Sequence, residues 1–166
     1  IGAEATFVWR AIDTDRRELA EVLRAAAAHR GASFVEVLQN CNIYNDGAFD
    51  VVREEKENRL YLRAGEEVRW GDYGVRIGAD GSAEVVPASA GGLLVHDPGR
   101  TEPSVAFALA RLTHATIGAV PLGVFRDVQR PVYDDEVAGQ IASAREQRGE
   151  GDLAALLAAG DTWQIA

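Results

Sequence analysis

The sequence predicts an α/β fold: a parallel strand-helix-strand unit, then antiparallel β segments, then carboxyl-terminal helices. Three observations carry this. Two runs of β-branched and aromatic residues flank one helical run near the start. Between residues 48 and 100 the pattern changes to short apolar segments punctuated by glycine. Beyond residue 100, capping residues and alanine-rich stretches return at helical spacing.

Thr6 to Ile12 (TFVWRAI) has the composition and length of a strand. Asp15 with Glu18 three residues on is a capping-box pattern, because each side chain can bond a free backbone N–H of the first turn. Leu19, Val22, Leu23, Ala26 and Ala27 follow at helical spacing, and Gly31 ends the run. Ser33 to Leu38 (SFVEVL) is a second strand, and a strand-helix-strand order calls for a crossover between parallel strands. After a charged run from Arg53 to Arg59, the segments LYLRA, GVRIG and AEVVP are separated by Gly65, Gly71, Gly74 and the Asp80-Gly81 pair, which signals antiparallel hairpins. Thr101 can cap a helix with Pro103 in its first turn, running to about Thr113. An extended segment is expected around Leu122 to Val128, and helices from Asp134 to Arg148 and from Asp152 to Ala159. The expected domains are residues 1–47, an α/β unit, and residues 48–166, hairpins followed by helices.

The 166 residues carry 17 basic and 26 acidic side chains, a formal charge of −9, which argues against a nucleic-acid or anionic-membrane partner. No apolar run approaches the roughly 18 residues of a spanning helix. A single cysteine cannot form an internal disulfide and agrees with a reducing, cytoplasmic setting. The chain begins at Ile1 and contains no methionine, so it reads as a piece of something longer.

That cysteine, Cys41, lies in VEVLQNCNIYNDG, just past the carboxyl end of the second strand, where open α/β sheets bind ligands. A lone cysteine is also commonly a small buried hydrophobe, so residue type and position leave both readings open. Asn40, Asn42 and Asn45 offer amide donors around the sulfur or serve as turn residues, and Gly47 permits a tight return of the backbone. His29, His96 and His114 lack metal-ligand spacing. His96 next to Asp97 is either an oriented base or part of an Asp-Pro-Gly turn. The Glu54-Glu55 and Asp134-Asp135 pairs read as solvated surface, and Trp9, Trp70 and Trp163 as packing anchors, the last pinning the tail.

HRGASFVEVLQNCNIYNDGAFD resembles the end of the cofactor domain in the β subunit of 2-oxoacid:ferredoxin oxidoreductases, closest to the 2-oxoglutarate type. PLGVFRDVQRPVYDDEV and GDLAALLAAGDTW are similar to the end of the same subunit, so the resemblance spans essentially the whole chain. It implies that residues 1–47 close a thiamine-diphosphate-binding α/β domain and that residues 48–166 form the carboxyl-terminal domain. It also implies thiamine diphosphate with Mg2+, and a [4Fe-4S] cluster held by four cysteines, of which Cys41 is the last. Asn40 and Asn45 of the Gln39-Asn40-Cys41 motif would line that cofactor site. The implied activity is oxidative decarboxylation of a 2-oxoacid to acyl-coenzyme A, with electrons leaving through the cluster to ferredoxin and an α subunit as partner.

The chain departs from the family pattern in two ways. The Gly-Asp-Gly and Asn-Asn signature of thiamine diphosphate and Mg2+ is missing, and Gly71-Asp72-Tyr73-Gly74 is a hairpin turn instead. The three upstream cysteines are absent. The chain by itself is therefore expected to be inactive and to bind no cofactor, with no catalytic residue assigned. The alternative expectation is a non-catalytic subunit-docking module in which Cys41 is buried and inert.

Overall fold

The computed structural model describes residues 1–163 and Ile165. The chain divides into two compact units, Ile1–Arg130 and Pro131–Ala166.

In the first unit, β1 (Phe7–Ile12), α1 (Arg16–Ala28) and β2 (Ser33–Leu38) form the expected crossover unit. β1 and β2 are parallel and in register from Phe7↔Ser33 to Ile12↔Leu38. The alternation of β1 sends Phe7, Trp9 and Ala11 toward α1, where they pack with Leu19 and Val22. Its other face puts Ile12 against Leu38, Val52 and Leu122. α1 starts where expected, the Asp15 carboxylate accepting the Glu18 backbone N–H at 3.2 Å. Past its end, Gly31 at φ 137° leaves room for the Thr6 hydroxyl, which a Cβ would approach to 2.5 Å.

Two short helical turns, α2 (Asp50–Arg53) and a 3-10 turn at Lys56–Asn58, lead into β3 (Arg59–Leu62). β4 (Arg69–Trp70), β5 (Tyr73–Ile77) and β6 (Ala83–Pro87) make an antiparallel three-stranded sheet. Gly71 (φ 49°) turns β4 into β5, so Gly71-Asp72-Tyr73-Gly74 is the hairpin turn its sequence suggested. Asp80-Gly81 turns β5 into β6, with the Asp80 carboxylate accepting the Ser82 backbone N–H and hydroxyl.

The expected helix from Pro103 to Thr113 is two pieces, α3 (Ser104–Ala110) and α4 (His114–Ile117). Thr101 does not cap it. Its carbonyl instead accepts from the buried Arg126 guanidinium at 2.9 Å, and the Glu102 carboxylate takes the Ser104 N–H. Thr113 and Thr116 form a capping box that opens α4, which is why the helix breaks there.

β7 (Val120–Asp127) departs furthest from expectation. It runs antiparallel to β1 and parallel to β3, giving the order β2-β1-β7-β3. LYLRA therefore belongs to this mixed sheet and not to the antiparallel meander, because Leu60 and Leu62 are buried in the core shared with Val8, Leu109 and Phe125. Gly123 (φ 99°) lets β7 lie close to Leu62, whose carbonyl a Cβ at that position would strike. The sheet thus includes strands from both sides of residues 47 and 48, and within this chain the compact units separate at residues 130 and 131. β2 ends the strand order, and Phe34 and Val37 are exposed on it.

The second unit holds α5 (Tyr133–Arg148) and α6 (Leu153–Leu157). Asp134, Asp135 and Glu136 at the start of α5 and Arg145 and Arg148 at its end complement the helix dipole. Asp152 caps α6 by accepting the Ala155 N–H. Trp163 is exposed. No helix among the described residues is long and apolar enough to cross a membrane.

Candidate functional site

The Cys41 loop follows the carboxyl end of β2, the position expected from its sequence. The Asn45 N–H donates to the Cys41 carbonyl at 2.8 Å, closing a single turn. Cys41 therefore stands where the capping residue of a helix would, and the N–H groups of Ile43 and Tyr44 are the free donors of that turn. Those of Tyr44 and Ile43, with a smaller contribution from Asn45, face the sulfur and hold its thiol below the ordinary cysteine range. Cys41 is partly exposed. Cys41 is thus not the fully buried residue that the alternative expectation called for: β2 ends at Leu38, and Cys41 lies in the turn beyond it.

The asparagines divide the work differently from the simplest expectation. The donors at the sulfur belong to the backbone. The Asn40 side chain turns away, accepting the Gly47 N–H at 2.9 Å and donating to Asp46 Oδ1 at 3.0 Å. Gly47, at φ 76°, provides the return that its residue type allows. Asn45 sits at the far side of the Cys41–Asn45 bridge, exposed, with Asn42 also exposed. The turn donors went unforeseen because backbone N–H groups carry no signature in side-chain identity; Cys followed by three residues and a polar turn former was the available signal.

A second polar cluster lies at the same carboxyl end of β1. Asp15 accepts from the Tyr61 hydroxyl at 2.9 Å as well as from the Glu18 N–H. Burial pushes the Asp15 carboxyl up, but the Glu18 N–H, the Tyr61 hydroxyl and the Arg59 guanidinium outweigh it and hold the group below the ordinary range. Glu18 is only 8% exposed. Its carboxyl is raised from 4.5 to about 7, first by burial and then by the neighbouring Asp15 charge. The Trp9 indole N–H is directed at it without good hydrogen-bond geometry, so Trp9 Nε1 and Glu18 Oε2 both lack a full partner. Arg59 donates to the Val52 and Arg53 carbonyls and to Thr14, which ties β3 to the loop after β1.

The other candidates are structural. His96 is buried with Nε2 2.6 Å from the Val124 carbonyl, and burial pushes its imidazole below the ordinary histidine range. Asp97 accepts the Gly99 N–H and forms the expected turn. Glu54, Glu55, Asp134 and Asp135 are exposed.

No family model matches the chain. The 2-oxoglutarate oxidoreductase subunit KorB of Mycobacterium tuberculosis is 43% identical to it over 174 aligned residues, covering 99% of this chain and 47% of that protein. This chain is a relative of that oxidoreductase subunit. It spans about half the length of this curated relative. The fold is also that of a 2-oxoglutarate:ferredoxin oxidoreductase from Magnetococcus marinus, solved with 2-oxoglutarate, coenzyme A and succinyl-CoA bound. The TM-score is 0.54 at 18% identity, with 95% of this chain and 41% of that chain covered. The resemblance read from the sequence, and the α/β class with its parallel and antiparallel strands, therefore hold.

The chain's own donors fit the two implied cofactors unequally. Among the described residues no group of three or more His, Cys, Asp or Glu side chains is arranged to hold a metal, and the Gly-Asp stretch at Gly71 is a turn. These residues do not fit a thiamine diphosphate and Mg2+ site. Cys41 suits one corner of an iron–sulfur cluster: a partly exposed thiol whose ionised form is favoured by backbone N–H donors.

Proposed function

We propose that this chain is part of the β subunit of a cytoplasmic 2-oxoacid:ferredoxin oxidoreductase, with 2-oxoglutarate as the 2-oxoacid. The complete enzyme would decarboxylate it oxidatively, join the acyl group to coenzyme A and pass the electron pair to ferredoxin. The carrying observation is the 43% identity over 99% of the chain to an oxidoreductase subunit. The partly exposed Cys41 at the carboxyl edge of the parallel strands supports the assignment of chemistry within it. Residues 1–47 would close the cofactor domain, and the other half of the subunit would pair with the open side of β2 and cover Phe34.

In this reading Cys41 contributes one thiolate to a [4Fe-4S] cluster, which supplies one-electron transfer when bound. Asn40 and Asn45 belong to the loop that holds that thiolate. Thiamine diphosphate and Mg2+ would be held by residues outside this chain, and an α subunit would complete the enzyme. The chain alone is then colourless and without calorimetric affinity for thiamine diphosphate.

The test uses the full-length subunit assembled with its α partner. Cys41→Ser should lower the iron content and remove the electron paramagnetic resonance signal of the reduced cluster while thiamine diphosphate stays bound, because a serine hydroxyl is far harder to ionise than a thiol. Full iron content and an unchanged signal would overturn the assignment of Cys41.

A further inference from the structure

The geometry points to a small-molecule site on the face of the mixed sheet opposite α1, built around the Arg10–Glu36 pair, whose ligand is an uncharged carboxamide carried on an apolar body. The site goes beyond the function proposed above and depends neither on Cys41 nor on any cofactor.

Alternation along β1 sends Phe7, Trp9 and Ala11 toward α1, which leaves Arg10 and Ile12 on the other face. The parallel register sets Arg10 beside Glu36 and Ile12 beside Leu38. Both Arg10 and Glu36 line a cavity of about 330 Å3 bounded by β1, β2, the stretch around α2 and the stretch joining α3 to α4. That volume stands at the small end of the roughly 300–1,000 Å3 typical of ligand pockets. The rest of the lining is mainly apolar and includes Leu38, Phe49, Val52, Leu112 and Val120, so it suits a hydrocarbon ring or branched chain.

The polar groups select the ligand's head. Arg10 Nε donates to Glu36 Oε2 at 2.6 Å, and the guanidinium lies 5.1 Å from the centre of the Phe125 ring. Its side chain is only 19% exposed, yet Nη1 reaches the Pro121 carbonyl at a long 3.4 Å and Nη2 has no partner among the described residues. N–H groups held mostly out of water without an acceptor are costly, and a ligand oxygen would satisfy them. A carboxylate is the wrong oxygen, because Glu36 already compensates the Arg10 charge and would repel a second anion. An ammonium group would meet Arg10 in the same way. A donor and an acceptor side by side with no net charge complement the edge of an amide: its carbonyl accepts from Arg10, and its N–H donates to the free oxygen of Glu36. The Thr113 hydroxyl is already engaged with Thr116, which leaves His114 as a further hydrogen-bonding side chain at the cavity.

The experiment measures binding of benzamide, benzoate and benzamidinium, three probes of one shape and different charge, by calorimetry on the full-length subunit assembled with its α partner. Benzamide should bind about tenfold more tightly than either ion, since each ion sets a like charge against one member of the pair. Glu36→Gln leaves the Arg10 charge uncompensated, and at a side chain that is 45% exposed the fold tolerates the change. In that variant the order should invert, with benzoate binding more tightly than benzamide. Absence of benzamide binding to the parent would overturn the site. Equal binding of the three probes, or the parent's order retained in Glu36→Gln, would overturn it as well, because an unselective apolar cleft or a site elsewhere in the enzyme would then hold the probe.

Discussion

Replacing Glu18 by glutamine should stabilise the protein at neutral and alkaline pH but not in acid. Glu18 is 8% exposed in the first turn of α1, with Asp15 before it, Glu21 after it and the charge of Arg63 opposing theirs. Burial and the Asp15 charge raise its carboxyl from 4.5 to about 7. The folded chain therefore holds the Glu18 proton more tightly than the unfolded chain does. Below about pH 4.5 both states are protonated and the group has no effect. As pH rises from about 4.5 to about 7, the unfolded chain ionises while the folded chain keeps the Glu18 proton, so stability falls across that interval and levels off above it, where the folded state too carries the buried charge beside Asp15. A carboxyl displaced from 4.5 to about 7 corresponds to a loss of about 3 kcal/mol once both states are ionised. Glu18→Gln preserves shape, removes the charge and offers the Trp9 indole a neutral acceptor. Urea unfolding of parent and variant should agree within about 0.5 kcal/mol near pH 4.5, and near pH 8.5 the variant should be more stable by up to about 3 kcal/mol. The His96 contribution is common to both proteins and cancels in the difference. An advantage of the same size at both pH values, or none at either, would refute the buried-charge reasoning.

Other substitutions probe the packing and turns of the first unit. His96→Ala leaves the buried Val124 carbonyl without its 2.6 Å partner and opens a cavity, so denaturant unfolding should show a loss of at least about 2 kcal/mol. Because burial keeps His96 neutral, the parent should also lose stability as pH falls below about 6.5, and the variant should lose less over that interval. Gly123→Ala, whose Cβ would strike the Leu62 carbonyl at φ 99°, should cost about 2–4 kcal/mol by separating β3 from β7. Gly71→Ala, at φ 49° with open space around it, should cost only about 1 kcal/mol, as a turn residue and not a phosphate cradle would.

What could be read from the chain depended on how local its cause was. β1, α1 and β2 were legible because each is specified within its own residues: β-branched runs, an Asp15 cap and a glycine stop. The hairpin turns at Gly71 and Asp80-Gly81 were legible for the same reason. β3 and β7 were not placed, since their pairing joins Arg59 to Val120 across a stretch in which nothing local encodes a partner. The helix after Pro103 is shorter than its sequence suggests because the Thr113–Thr116 capping box, which starts a new helix, consists of residues that are ordinary inside an expected one.

The same distinction explains the site. Cys41 was legible as a candidate because its position after a strand is a local fact. Its electrostatics were not, because the favoured thiolate comes from the N–H groups of Tyr44 and Ile43, and every residue type supplies such a group. Glu18 marks the opposite failure. Its spacing from Asp15 announced a capping partner, yet burial against Trp9 made it a strained carboxyl that leaves its Oε2 without a bond. A helix start is normally the favourable place for an acid, through the dipole and the free N–H groups. Here Asp15 has already taken the Glu18 N–H and the Tyr61 hydroxyl, so a second acid one turn inside meets charge repulsion and desolvation with little left to offset them. The carboxyl edge of the sheet thus carries two opposite arrangements: at Cys41 the backbone favours a negative charge, and at Glu18 the packing resists one.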